Sequence, residues 1–229
     1  MTKIYGIGVG PGDPELITVK GLRILRSCGV VAYQSAVGHS SIARSIVADY
    51  LRPDQIEVAY HLPRALDVAE ADYDSAVAPI LPYLEQGKDI GVICEGDPLL
   101  YGSFMYVFTR LQDNYPIEVV PGVSSPVGAA AVLGLPLCYR QEVFKIVPAT
   151  ASLERLKQEL SQLDACAIIK LSNNFAKVRS VLKDLNLLER ALYIERATMP
   201  QQNIIPIELV DPTNVPYFSL ILIPSQSKL

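Results

Sequence analysis

The sequence predicts an α/β fold in two domains: an N-terminal domain with a mainly parallel sheet flanked by helices, and a smaller C-terminal mixed α/β domain. Three observations carry this. Short apolar runs alternate with stretches of helical period from the N-terminus onward, the pattern of successive βαβ units. Glycine, proline and acidic residues gather where those runs end, at GPGDP (10–14), EGDP (95–98) and PGVSS (121–125). Beyond residue 200 two extended runs follow one another with no helical pattern between them, which marks the second half as different in kind.

The elements follow in order. Residues 3–9, KIYGIGV, read as a first strand that ends in a loop too rich in Gly and Pro to continue it. Thr18 is placed to cap a helix over 19–26, and Gly29 ends it before a strand at 30–33. Ser40 or Ser41 opens a further amphipathic helix, with Ile42, Ile46, Val47 and Tyr50 on one side and Pro53 at its close. A strand at 56–60 and a helix at 73–85, bent or delayed by Pro79 and Pro82, precede the buried strand 90–94. There the pattern breaks, because two carboxylates and a proline at Glu95, Asp97 and Pro98 cannot continue a buried strand. Ser103 is a candidate cap for a helix over 104–111. A strand at 116–120 and a small-residue helix at 127–133 complete the first domain, expected to span 1–139. In the second, 140–229, strands are expected at 143–147, 165–171 and 191–195, with helices at 152–160 and 175–185. The extended runs 203–210 and 217–223 are expected to pair antiparallel with each other.

Composition narrows the function. The 229 residues are 50% hydrophobic, ample for packed cores, and carry a net charge of −4 with pI near 5.3. The absence of a basic run argues against a nucleic-acid-coating surface, leaves room for a local basic pocket and favours a small ligand. No leader-like segment and no apolar run of membrane-spanning length occur, so a soluble cytoplasmic protein is expected. Cys28, Cys94, Cys138 and Cys166 lack metal-site spacing and read as reduced core thiols. His39 and His61 are isolated, so no metal site is expected. The first loop lacks the Gly-Lys-Ser/Thr of a phosphate loop, and Pro11 and Asp13 stand where a dinucleotide fingerprint needs glycine.

Five signals occur in one order: GxGxGPGDP at 6–14, EGDP at 95–98, PGVSS at 121–125, GLPL at 134–137 and ERAT at 195–198. Together they resemble the tetrapyrrole methylases, the two-domain class III S-adenosylmethionine-dependent methyltransferases. CEGDPLLYGSFMY, PGVSS and the ending PYFSLILI are most similar to the precorrin-2 C20-methyltransferases of corrin biosynthesis, including those acting on the cobalt-bearing ring. Methylation at another ring position, such as C11 or C17, or of uroporphyrinogen stays open beside it, as does a non-catalytic tetrapyrrole-binding module. The resemblance implies a homodimer, with S-adenosyl-L-methionine folded between the domains, the tetrapyrrole over the open side and S-adenosyl-L-homocysteine as the product. It carries donor binding onto Pro11, Glu95, Gly96, Asp97, Leu100, Ser124, Ser125, Lys170 or its neighbour Leu171, and Ala197. Two positions depart from the family pattern: Glu95 stands where a glycine is frequent, and Lys170 where an apolar residue is.

Methyl transfer to carbon is an in-line displacement, in which holding nucleophile, methyl and sulfur collinear and dry does most of the work. A weak base need only remove the ring proton afterwards, and Asp13, Glu95 and Tyr101 are the candidates. A carboxylate-rich macrocycle also demands local positive charge in an acidic protein, for which Arg44, Arg64, Arg140 and Arg196 are the candidates.

Overall fold

The computed structural model describes residues 2–35, 40–62, 74 and 77–226. They form two compact units, Met1–Ser124 and Ser125–Leu229.

The first unit holds five parallel strands, β1 (Ile4–Gly8), β2 (Val30–Gln34), β3 (Ile56–Tyr60), β4 (Ile90–Cys94) and β5 (Ile117–Val120), in the order β3-β2-β4-β1-β5. Alternation along the strands sorts side chains into two cores. Ile7, Val31 and Ile93 meet Ile24 and Leu25 of α1 (Val19–Ser27) and Ile46 of α2 (Ile42–Ile46) on one face. Val30, Ala32, Ile90 and Val92 meet Leu84 of α3 (Leu81–Glu85) and Phe104, Val107 and Leu111 of α4 (Phe104–Leu111) on the other. Strands covered on both faces must be apolar throughout, and all five residues of β4 are buried. Gly6 lets this happen, since a Cβ there would overlap the Phe104 ring.

This order creates a crevice. The chain leaves β1 into α1 on one face and leaves β4 into α4 on the other, although the two strands are hydrogen-bonded neighbours. Diverging connections from adjacent parallel strands open a ligand-sized gap at their carboxyl ends.

Thr18 caps α1 through Gly21 N at 3.0 Å, and Ser41 caps α2 through Arg44 N at 3.3 Å. The helix expected up to Tyr50 stops at Ile46 and resumes as a 3-10 turn, Ala48–Tyr50. Of the expected helix over 73–85, residues 73, 75 and 76 lie outside the described residues; α3 is its last part, with Pro82 in the first turn where its missing N–H costs nothing. Ser103 is not a cap: its backbone is already helical, and its hydroxyl lies 3.6 Å from Cys94 Sγ.

In the second unit β6 (Phe144–Pro148), β7 (Ala165–Ile169), β8 (Leu192–Glu195), β9 (Asn203–Ile205) and β10 (Ser219–Ile223) form a mixed sheet in the order β6-β7-β10-β8-β9. Helices α6 (Leu153–Ser161) and α7 (Phe175–Asp184) pack on one face and α5 (Ser125–Leu133) on the other. Two expectations differ. The 203–210 and 217–223 runs do not pair with each other: β10, buried at every residue, inserts between β7 and β8, while β9 lies on the edge beside β8. The helix assigned to the first domain belongs with the second sheet, because Ala129 and Ala130 pack against Ala167, Leu220 and Leu222. The units therefore divide at Ser124, ahead of the expected 139/140 boundary.

Candidate active site

Three loops leave the carboxyl ends of β1, β4 and β5, and their backbones lock together. Val9 N donates to Cys94 O at 2.9 Å, and Gly10 and Gly96 exchange N–H to O=C bonds at 3.4 and 2.7 Å. Gly8 and Gly122 close the contact. A Cβ on Gly8 would lie 2.6 Å from Gly122 N and from Gly96 O, and one on Gly122 would overlap Gly96 O. Gly10 (φ +85°) and Gly96 (φ +62°) supply the left-handed conformations that let the loops turn back.

Asp97 is the polar clasp of this assembly. Its Oδ1 accepts from Leu99 N at 2.9 Å and its Oδ2 from Gly122 N at 3.1 Å, which ties the β4 turn to the β5 turn. Asp13 plays a local part, capping the 3-10 turn Pro14–Leu16 by accepting from Glu15 N at 2.9 Å. Pro11, Gly12 and Gly96 are buried, Ser124 is half-buried and Ser125 is exposed at the start of α5.

Glu95 reaches sideways instead. Its Oε1 accepts from Ala43 N at 3.1 Å in the first turn of α2, so the carboxylate serves as a second cap on that helix. Loss of hydration raises its pKa above the ordinary carboxylate range, against the opposing pull of the backbone amides. Burial also pushes the Cys94 thiol up to about 12 and holds the Tyr60 phenol well above its usual value. The Tyr60 hydroxyl has no hydrogen-bond partner of ordinary geometry among the described residues.

Past Pro98 the turn faces outward. Leu99, Leu100, Tyr101 and, one helical turn on, Tyr106 are exposed large side chains. Tyr101 is left-handed (φ +56°), and Gly102 has no room for a Cβ, which would lie 2.6 Å from Pro98 O.

In the second unit β6, β7 and β8 end at one edge of the sheet. Lys170 (φ +59°) and Ser172 (φ +28°) follow β7, and Arg196 (φ +47°) and Thr198 (φ +71°) follow β8. Non-glycine residues held left-handed cost roughly 1–2 kcal/mol each and concentrate where backbone shape serves a site. Leu171 packs wholly into the core, leaving Lys170 as the neighbour with a partly exposed side chain. Ala197 is buried against the Ala129 side of the sheet. Glu195 is buried, accepts from the Tyr193 hydroxyl at 2.8 Å and lies 3.5 Å from Arg196 Nη1. Desolvation, and after it that bond, raises the Tyr193 pKa.

The candidate arginines fare differently. Arg44 directs Nε and Nη2 at Glu57, both at 2.9 Å, so its fork is occupied. Arg140 is exposed in the turn after α5, Arg196 pairs with Glu195, and Arg64 and His39 lie outside the described residues. Cys28, Cys94 and Cys166 are buried free thiols, but Cys138 is exposed, contrary to the expected core position, because it lies in the loop beyond α5. An open depression of about 530 Å³ beside Ser27, Gly29, Lys88 and Asp89 lies at the opposite, amino-terminal edge of the first sheet and holds none of these residues.

Sequence reasoning missed Gly8 and Gly122 as contact residues, and Ala43, Tyr60, Tyr193 and Glu195 as neighbours of the site loops. Only Glu195 carried a signal, an acid closing an otherwise apolar strand.

One unit with a parallel sheet whose loops knit around the β1/β4 crevice, and a second with a mixed sheet and strained turns after β7 and β8, define a class of protein. The model of the Tetrapyrrole (Corrin/Porphyrin) Methylases matches residues 3–211, and the chain belongs to that family. Within it, the chain is 38% identical over 96% of its length to the cobalamin biosynthesis protein CobIJ of Mycobacterium tuberculosis, but covers 46% of that protein. The chain thus spans about half the length of these first relatives. It is 33% identical to a precorrin-2 C(20)-methyltransferase from Sinorhizobium sp, covering 97% of this chain and 95% of that one. The cobalt-precorrin-2 C(20)-methyltransferase of Salmonella typhimurium is 34% identical, with 98% and 97% covered. Among solved structures, the cobalt precorrin-4 methyltransferase CbiF superposes with TM-score 0.76 at 24% identity, covering 97% of this chain and 94% of that one. A Thermus thermophilus uroporphyrin-III C-methyl transferase complexed with S-adenyl homocysteine gives 0.71 at 23%, covering 97% and 92%. At these identities the likeness establishes the fold.

Proposed function

We propose that this chain transfers a methyl group from S-adenosylmethionine to C20 of precorrin-2 or of its cobalt-bearing counterpart, releasing S-adenosylhomocysteine. The observation that carries the reading is the crevice at the carboxyl ends of β1 and β4, walled by loops that their glycines let pack backbone to backbone. A sulfonium donor has no phosphate, so such loops serve it by close backbone approach. The full-length similarity to two relatives that bear the C20 name supports the ring position.

In this reading the backbone at Pro11 and at Glu95–Gly96 binds the donor, with Asp97 holding those loops in shape and Leu100 offering apolar contact. Ser124 adds a hydroxyl, while for Ser125, Lys170 and Ala197 the donor role rests on the family resemblance. The donor supplies an electrophilic methyl on sulfur. The chain's residues hold donor and ring in line and keep water out. Arg196, Arg64 and Arg140 bind the ring's carboxylates; Arg44 joins them only by leaving Glu57. The protein works as a homodimer in the cytoplasm.

The test is incubation with S-adenosylmethionine and either metal-free or cobalt-bearing precorrin-2, followed by mass spectrometry. One added methylene unit, located at C20 by NMR, is the expected result. No added mass on either ring refutes the reading, and methylation at another carbon replaces it.

A further inference from the structure

Among the described residues at the carboxyl edge of the first sheet, Asp13, Glu95 and Tyr101 are the proton acceptors that the sequence singles out. Asp13 is committed to its own turn, where its Oδ1 accepts from Glu15 N. Tyr101 is held left-handed in the outward-facing turn, with its ring exposed. Glu95 differs from both. It is held at the end of β4 by Ala43 N, which fixes the orientation of the carboxylate. No Lys or Arg pairs with it among the described residues.

We propose that Glu95 is the proton acceptor of the methyl-transfer reaction, an inference that rests on the function proposed above. The ring donates a π pair from C20 to the methyl carbon, the S–CH₃ bond breaks with its pair going to sulfur, and the sulfonium becomes a neutral thioether. The ring is left one positive charge. The hydrogen on C20 then leaves as a proton to the Glu95 carboxylate, and the C–H pair returns the macrocycle to neutrality. Glu95 passes the proton to water before the next turnover.

The surroundings suit this role. The Tyr60 phenol of β3 and the Cys94 thiol of β4 are held neutral by burial. Arg44, on the same helix as Ala43, is turned to Glu57, and the Asp97 carboxylate is held by two amides. With no cation paired to it among the described residues, desolvation raises the proton affinity of Glu95, and a base gains effectiveness as its pKa rises toward the working pH. The same carboxylate reads otherwise as a helix cap and nothing more, and the experiment separates the two roles.

Wild type, Glu95→Gln and Glu95→Ala are compared for S-adenosylhomocysteine affinity by calorimetry and for single-turnover methylation of precorrin-2 across pH. The glutamine retains an oxygen for Ala43 N but does not take the proton. The expected result is affinity within about two-fold of wild type, a rate loss on the order of 100-fold or more, and disappearance of the acidic limb of the wild-type rate–pH profile. A glutamine variant at wild-type rate overturns the assignment and leaves Glu95 a cap. So does a rate loss matched by an equal loss of affinity. If wild type itself methylates neither ring, the proposed function fails and this inference falls with it; an active wild type confines any failure to Glu95.

Discussion

Substituting alanine for Gly122 tests whether the three loops of the first sheet form one packed object. The added Cβ would overlap Gly96 O and lie 2.8 Å from Gly8 Cα and 2.9 Å from Gly8 C. All three neighbours are backbone, so no flexible side chain can yield. Relief requires moving the β5 loop away from the β1 and β4 loops, which also stretches the 3.1 Å bond from Gly122 N to Asp97. Overpacking against immobile atoms costs about 3 kcal/mol, the upper part of its usual range. Urea denaturation followed by circular dichroism should show that loss in the first unit, and S-adenosylhomocysteine affinity should fall with it. Gly29→Ala is the control: nothing lies within 4 Å of its Cβ position and its backbone is not left-handed. It should be neutral or stabilising by about 0.4–1 kcal/mol. Equal effects from the two substitutions would refute the reasoning, as would a Gly122→Ala protein with wild-type midpoint and affinity.

Two further outcomes follow from the charges and thiols. Glu118 on β5 accepts from Lys3 and from Lys20, the latter at 2.7 Å, and these partners lower its pKa to about 2. A depressed carboxylate contributes stability above its unfolded pKa and loses it as pH falls, so the contribution should fade between about pH 4.5 and pH 2. Glu118→Gln should flatten that limb in pH-dependent melting, and an unchanged slope would sink the assignment. Burial pushes Cys28, Cys94 and Cys166 up to about 12, whereas Cys138 is exposed. A thiol reagent at pH 8 should therefore label Cys138 rapidly and the other three only on unfolding; fast labelling of more than one thiol in native protein would contradict the buried placement.

Much of the fold was legible because local physics enforces it. β3 and β4 fall at the expected residues: β4, buried on both faces, is apolar to its ends, and β3, at the sheet edge, turns Val58 and Tyr60 inward and leaves Glu57 and Ala59 exposed. Thr18, Ser41 and Ser152 cap helices because their hydroxyls reach amides within the same turn. Ser103 misled for the same reason in reverse, as its hydroxyl lies beside Cys94 and the cap signal is blind to a competing tertiary contact. The pairing of β10 was equally hidden. Nothing in 217–223 says whether its neighbour in the sheet precedes it directly or lies further back in the chain, and burial of every residue favoured the central slot.

The sequence by itself determined where the first sheet's loops fall, because proline and unpaired carboxylates do not continue a buried strand. It also placed Glu95 and Asp97 together at a strand end. Only the tertiary structure separated their roles. Asp97 is drawn to the amides of Leu99 and Gly122, Glu95 to that of Ala43, and Gly8, Gly96 and Gly122 meet across three strands. These contacts join residues from distant parts of the chain, and strand order, which no local signal encodes, decides which of them can touch.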